Sequence, residues 1–405
     1  MRACCGAVLV SLALATTVSA QSVHLSLAEA LARARDQSPT VLIALARADE
    51  SRARLVGARL RFRENPSLDV ASGPRRTDAG TRLDLEVGFS QLFETGGQRA
   101  ARIAGAEADI QSAEAIGDDA RREATALVGT VFYRVAHAQS RWTLLQSAEQ
   151  AAAEVVRIAT RRYEAGDIAV LDVNLGRSAT ARARSATTAQ AAERTLLVAE
   201  LGRLIAVPAG TDIVATASLS DARPAQLDRL LASTETRADI RALTASLAEA
   251  NASVRLGAAG RRPDVSLGGR VKQEGGDHAV IAGLSIALPL FESGQELRAA
   301  GSARGARIRQ EIEAVRAAAL SEVRALHEAY GVRRAAAEVF EQEALPLAIE
   351  SEQLAQRSFE EGQLSLADLL VIRRELMDTR LEHLDRLLNA AETAIARDAA
   401  AGVLQ

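Results

Sequence analysis

The sequence predicts a mainly α-helical protein with a small β part, made of a half-molecule that occurs twice and carries four strands in all. Three pairs of segments about 197 residues apart predict the duplication. They are Asn65-Pro66-Ser67-Leu68-Asp69-Val70 with Arg262-Pro263-Asp264-Val265-Ser266-Leu267, Leu92-Phe93-Glu94-Thr95-Gly96 with Leu290-Phe291-Glu292-Ser293-Gly294, and Arg162-Tyr163-Glu164-Ala165-Gly166 with Ser358-Phe359-Glu360-Glu361-Gly362. So long a period is a duplicated half rather than a solenoid repeat. Period-2 alternation predicts the strands, and long runs of helical periodicity predict the helices.

Residues 1–20 read as a secretory signal, with Arg2 at the start, an apolar stretch Ala7 to Ala15 and a small-residue cleavage site at Val18-Ser19-Ala20. The apolar run is too short for a membrane helix. Cys4 and Cys5 would leave with it, so the mature chain is expected to lack disulfides, thiolate metal sites and a cysteine nucleophile. The expected organisation is then a first repeat over 21–206 (helix, hairpin, long helical hairpin), a linker or equatorial segment over 207–226, and a second repeat over 227–405. A formal charge of −3 over 405 residues leaves no basic footprint for nucleic acid. Hydrophobic content is 48% with only 3% aromatic, which suits long, closely packed helices. Basic charge is nearly all arginine, Lys272 being the one lysine.

The first hairpin comes after Pro66. Leu83, Leu85, Val87 and Phe89 alternate with Arg82, Asp84, Glu86 and Ser90, while Gly73 to Gly80 reads as a loop by composition. The second has Val265, Leu267 and Val271 opposed to Ser266, Arg270 and Lys272, a turn at Gly275-Gly276-Asp277, and a return strand with Val280, Leu284, Ile286 and Leu288. Strands of roughly 8 to 11 residues match a tilted membrane crossing. One face is apolar enough for lipid and the other charged enough for a water-filled lumen. Four strands cannot close a membrane barrel, since an open edge in lipid leaves backbone groups unpaired. The other reading of these strands is a small soluble sheet packed on helices; if they cross a membrane, other copies of the chain must complete the sheet.

Residues 97–163 contain no proline, and Val128, Val131, Phe132, Val135, Trp142 and Leu145 recur at helical spacing. A rod of about 100 Å is predicted at 1.5 Å per residue. Its counterpart runs from Glu296 to Phe359, with a kink expected at Pro346. Gly166 and Gly362 supply the turn, and second helices run over Leu171 to Ala206 and Leu366 to Ala400. From Val207 to Pro224 the helical signal lapses; Asp221 is a candidate cap for the next helix.

Taken in order, these segments resemble the TolC-like outer-membrane efflux proteins. The features are Leu27-Ala28-Glu29-Ala30-Leu31-Ala32 with Ser38-Pro39, the prolines Pro66 and Pro263 entering each hairpin, Pro289-Leu290-Phe291-Glu292-Ser293-Gly294, and the two glycine tips each followed by an aspartate, Asp172 and Asp368. The resemblance covers nearly all of the chain beyond the signal. It implies a homotrimer whose four strands per chain complete a twelve-stranded barrel in outer-membrane lipid, continued across the periplasm by an α-helical barrel. It implies a periplasmic adaptor (membrane fusion) protein and an inner-membrane pump of RND or ABC type as partners, and no cofactor. The tips Tyr163, Gly166, Asp167, Phe359 and Gly362 become candidates for adaptor docking. Asp368 and Asp172, with Arg373 and Arg374, become candidates for a periplasmic gate. Leu175 and Val371 stand where many members carry a second polar gate residue, so the gate charge is expected to be lighter here.

The five histidines, His24, His137, His278, His327 and His383, form no ligand or catalytic spacing and are expected on solvated helix faces or loops. No metal site, G-x-S-x-G, H-E-x-x-H or phosphate loop is present, so no enzyme is expected. A passive exit duct is the leading reading. A periplasmic coiled-coil scaffold without channel activity is the alternative.

Overall fold

The computed structural model describes residues 22–78, 80–221, 223–274 and 276–404. The expected signal at 1–20 lies outside them. Strand β1 (Ser22–Leu25) leads to helices α1 (Leu27–Gln37) and α2 (Pro39–Ala58). Ser26 opens α1 with a capping box, its hydroxyl accepting from the Glu29 N–H while the Glu29 carboxylate accepts from the Ser26 N–H. Pro39 starts α2, where its missing N–H costs nothing.

The first hairpin is β2 (Ser67–Thr77) and β3 (Gly80–Phe93). It leads into α3 (Gln98–Glu164) and, after the tip, α4 (Val170–Leu204). Strand β4 (Asp212–Ala215) comes next, and α5 (Leu227–Ser233) and α6 (Ala238–Ala259) lead into the second half of the chain. There the hairpin is β5 (Val265–Glu274) and β6 (Asp277–Ile286), and the rod is α7 (Gln295–Val339) and α8 (Leu345–Glu360) joined by a π-helical turn, Phe340–Ala344. Helix α9 (Leu366–Ala401) closes the chain. With 67 residues, α3 is about 100 Å long. It packs on α2 and α6 towards the sheet and on α4 and α9 beyond it. Among the described residues no helix is long and apolar enough to cross a membrane.

A waist of packed apolar residues holds the rods together. Phe132 and Val135 of α3, Leu201 of α4, Ile213 of β4 and Ile395 of α9 are buried in one cluster. Gly129 lets α9 approach α3, since a Cβ there would lie 3.1 Å from Ile395. Beside this cluster β1 and β4 pair in parallel, from Ser22 with Asp212 to Leu25 with Ala215. Residues 190 apart thus share a sheet that only tertiary packing can assemble.

Several expectations change. Residues 73–77 are strand rather than loop, because β2 runs through Pro74 and Arg75 to Thr77, paired with β3 down to Gly80. An edge strand tolerates a proline that composition reads as a breaker. The return strand stops at Ile286, two residues short of Leu288. The break expected at Pro346 appears upstream, as the π turn. A helical proline collides with the carbonyl four residues back, here that of Gln342, which sits inside that turn. Asp221 caps no helix; α5 begins after Gln226, without a side-chain cap bond.

Candidate channel wall and periplasmic gate

The four long strands form one sheet in the order β2-β3-β5-β6, so the two hairpins join through β3 and β5. Pairing sets Leu68 opposite Phe89, Val87 opposite Val271 and Val271 opposite Val280. One face therefore carries Leu83, Leu85, Val87 and Phe89 together with Val280, Leu284 and Ile286, all exposed in the single protomer. Leu288 is exposed just beyond the strand.

The opposite face is bound by charge. Arg75 Nε donates to Asp84 Oδ2 at 2.7 Å, and its Nη2 lies 2.6 Å from Glu274 Oε1. Lys272 also meets Glu274, and Arg270 reaches Glu86 at 3.0 Å. Arg75 escaped the sequence reading because its proline-containing neighbourhood looked like a loop. Only the pairing of β2 with β3 brings it to this face. Exposed ion pairs of this kind stabilise by at most about 1 kcal/mol each. They give the wall a hydrated, charge-balanced surface.

At the far end of the rods both tips have one geometry. Gly166 and Gly362 take φ of 83° and 77°. The Asp167 N–H donates to the Arg162 carbonyl and the Gln363 N–H to the Ser358 carbonyl, both at 2.8 Å. This closes each helix with a left-handed residue that only glycine adopts at no cost. The tip aromatics differ. Tyr163 is 46% exposed, whereas Phe359 is 3% exposed, buried with Val155, Ala159 and Val173 of the first repeat and Leu369 of the second. The Arg162 guanidinium sits 5.6 Å from the Phe359 ring centre. Phe359 ties the two tips together and cannot itself meet a partner, so Tyr163, Asp167 and the two glycines are left at the surface.

Asp368 lies in the first turn of α9, where the Ser365 hydroxyl donates to its carboxylate at 2.6 Å and accepts from its N–H at 3.2 Å. Asp368, Val371, Arg374 and Asp378 are exposed along one stripe of the helix. Arg373 points the other way. It donates to Glu352 at 3.2 Å and Gln356 at 2.6 Å on α8, and to the Ala151 carbonyl of α3 at 3.3 Å. Within the protomer neither arginine reaches Asp368: Arg373 is committed to packing, and Arg374 pairs with Asp378 at 3.6 Å. Asp172 is half-buried in the first turn of α4.

His137 corrects the expectation of a solvated histidine. It lies against α9 with Nε2 2.8 Å from Asp385 Oδ1, a carboxylate that also accepts from Arg141 at 2.7 Å. Burial holds its pKa below the ordinary value against the pull of Asp385. His383 is half-buried beside Glu341 and Arg334, and burial lowers its pKa too. Among the described residues no cluster of three or more His, Cys, Asp or Glu could hold a metal ion.

A sheet with two free edges, one lipid-compatible face and one charged face, set on a helical rod, matches a known architecture. Residues 30–207 and 232–403 match the outer membrane efflux protein family. The chain belongs to that family. It is 28% identical over 327 residues to the cobalt-zinc-cadmium resistance protein CzcC of Cupriavidus metallidurans, covering 78% of this chain and 78% of CzcC. Among solved structures it resembles the outer membrane channel CmeC of Campylobacter jejuni, with TM-score 0.76 and 15% identity over 93% of this chain and 85% of that one. The outer membrane protein VceC of Vibrio cholerae gives TM-score 0.73 and 19% identity over 93% of this chain and 96% of that one.

As an outer membrane efflux protein, the chain is the exit duct of a tripartite pump. It acts as a homotrimer in the outer membrane, extends into the periplasm, and works with an adaptor protein and an inner-membrane pump. Its relatives are channels rather than enzymes. Membership sets aside the alternative of a scaffold without a channel.

Proposed function

We propose that this duct discharges small cations, among them divalent transition-metal ions, and that Asp368 governs their entrance. The observation that carries the proposal is the exposed stripe of α9 headed by Asp368. Its Ser365 bonds fix the carboxylate at the periplasmic end of the rods. Three copies would present an acidic ring, and such rings favour cations over anions. Arg374 on the same stripe would meet the Asp368 of a neighbouring copy, with ion pairs that hold the entrance shut until the adaptor docks. Tyr163, Gly166, Asp167 and Gly362 form the docking surface, and Phe359 holds it in shape from inside. The likeness to a cobalt-zinc-cadmium resistance protein supports metal cargo.

Among the described residues the sheet's charged face offers paired charge and no group of three or more metal-ligating side chains. Choice of cargo then belongs to the pump that delivers it. A strain lacking this chain should lose tolerance to cobalt, zinc and cadmium and regain it with the wild-type gene. Unchanged metal tolerance alongside sensitivity to organic solutes would assign the duct other cargo.

A further inference from the structure

We propose that neighbouring copies pair β6 with β2 in the register that β3 and β5 already use inside the chain, so that Ser285 of one copy lies opposite Gly73 of the next. This rests on the chain being a trimeric barrel. It adds the residue-level seam.

The two hairpins share one internal register. Leu68 pairs with Phe89 and Val265 with Ile286; Gly73 pairs with Asp84 and Arg270 with Ile281. Every position is displaced by the same 197 residues that separate Pro66 from Pro263. The hairpins are thus equivalent pieces of wall, and the chain contains one worked example of how two of them join, the β3–β5 seam, where Phe89 faces Gly269. The free edges are β6, equivalent to β3, and β2, equivalent to β5. Moving Phe89 forward and Gly269 back by that displacement sets Ile286 opposite Ser72. Leu284 then faces Pro74, and Ser285 faces Gly73.

Two observations favour this register. First, it is consistent with the faces. Ile286 and Ser72 both lie on the apolar side, and Ser285 and Gly73 both on the charged side, whereas a slip of one residue would reverse every side chain. Second, it covers what the single protomer leaves bare. Leu288 and Leu290, 67% and 76% exposed, fall opposite Val70 and Leu68, 63% and 70% exposed. Strand β6 stops at Ile286 in the lone chain, and the next copy's β2 would extend it. Pro74 has no N–H to give, so the ladder is one bond short at that point.

The seam between copies also differs in kind from the one within the chain. The Glu86–Arg270 ion pair crosses the inner seam at 3.0 Å. Its equivalents between copies are Gly283 and Gly73, which carry no charge. At this seam backbone bonds and apolar packing join the copies, so high salt should not open it.

The test is disulfide trapping. The pair Ser285→Cys with Gly73→Cys, facing the lumen, should on oxidation give a trimer that survives boiling and collapses with reductant. The pair Gly283→Cys with Gly73→Cys is displaced by about 7 Å along the strand and beyond disulfide reach; it should stay monomeric on boiling. If the lumen pair fails to assemble, Ile286→Cys with Ser72→Cys on the lipid side tests the same register. Cross-linking by the displaced pair, or an SDS-resistant trimer in which neither matched pair cross-links, overturns the register while leaving the barrel. A wild-type chain that never forms an SDS-resistant trimer overturns the barrel and the register together.

Discussion

A Cβ placed on Gly294 would lie 2.1 Å from the carbonyl oxygen of Gly257, closer than any real side chain sits. The C-terminal end of α6 is wedged at the junction where sheet gives way to rods. The same thing happens on its other side, where a Cβ on Gly96 would lie 2.3 Å from the Ala259 carbonyl oxygen. Arg298 donates to the Gly257 carbonyl at 3.0 Å and completes the contact. Gly294→Ala must move the backbone of α6 and also strain a residue at φ 77°. Gly97→Ala meets open space and bears only the cost of φ 89°, about 1 to 2 kcal/mol. The first variant should lose most of its outer-membrane trimer and the second little, as read by heat-modifiable gel mobility. Equal yields would mean that the junction tolerates a shift.

The two faces of the sheet should respond differently to charge. Leu85→Arg or Ile286→Arg puts a guanidinium in lipid at a cost of about 2 to 4 kcal/mol near mid-bilayer. Assembly should fail. Ser90→Arg enters the charged face, and should leave the trimer intact while changing single-channel conductance. Equal tolerance on both faces would deny that the apolar side meets lipid.

Gly362→Val places a β-branched side chain at φ 77°, a strain of about 1 to 3 kcal/mol confined to the tip. The trimer should form in the outer membrane, while export and cross-linking to the adaptor are lost. Tyr163→Ala should weaken the same cross-link without that strain. Normal cross-linking in both variants would move docking away from the tips.

Asp368→Asn keeps shape and removes charge. The expected result in planar bilayers is a loss of cation preference and of block by divalent ions, with assembly unchanged. Arg374→Ala, which frees the exposed stripe rather than the packed one, should raise the open fraction; Arg373→Ala should instead lower stability, because it releases Glu352 and Gln356. A duct with unaltered selectivity in Asp368→Asn would leave that carboxylate as a helix-end charge.

The trimer should also weaken in mild acid. With its folded pKa below the ordinary histidine value of 6.5, His137 binds its proton more readily in the unfolded chain. Its contribution to stability is complete above about pH 6.5 and is lost as pH falls from there towards the folded value. His383 acts in the same direction. Asp385, Arg141 and Glu392 face His137 and set how far the loss extends. The melting temperature should fall between about pH 7 and 5, and His137→Gln should shrink that fall. A profile unchanged by the substitution would assign the acid sensitivity to other groups.

Whatever depends on neighbours along the chain was legible in the order of residues. Alternation from Leu83 to Phe89 fixed a strand and its two faces. The absence of proline over residues 97–163 allowed one unbroken helix, and Gly166 and Gly362 ended the rods because only glycine takes that turn at no cost. The duplication showed that four strands would be too few. Tertiary structure decided whatever depends on residues distant in sequence. Pro74 and Arg75 became strand because β3 supplied a partner. Phe359, which looks like a tip contact, was drawn into a core that joins the two repeats. Arg373 and Arg374, adjacent in sequence, separated onto packed and open sides of α9. His137 acquired Asp385 from 248 residues away. Periodicity records which side of an element is apolar, but the element packed against that side is set by burial and pairing across the whole molecule.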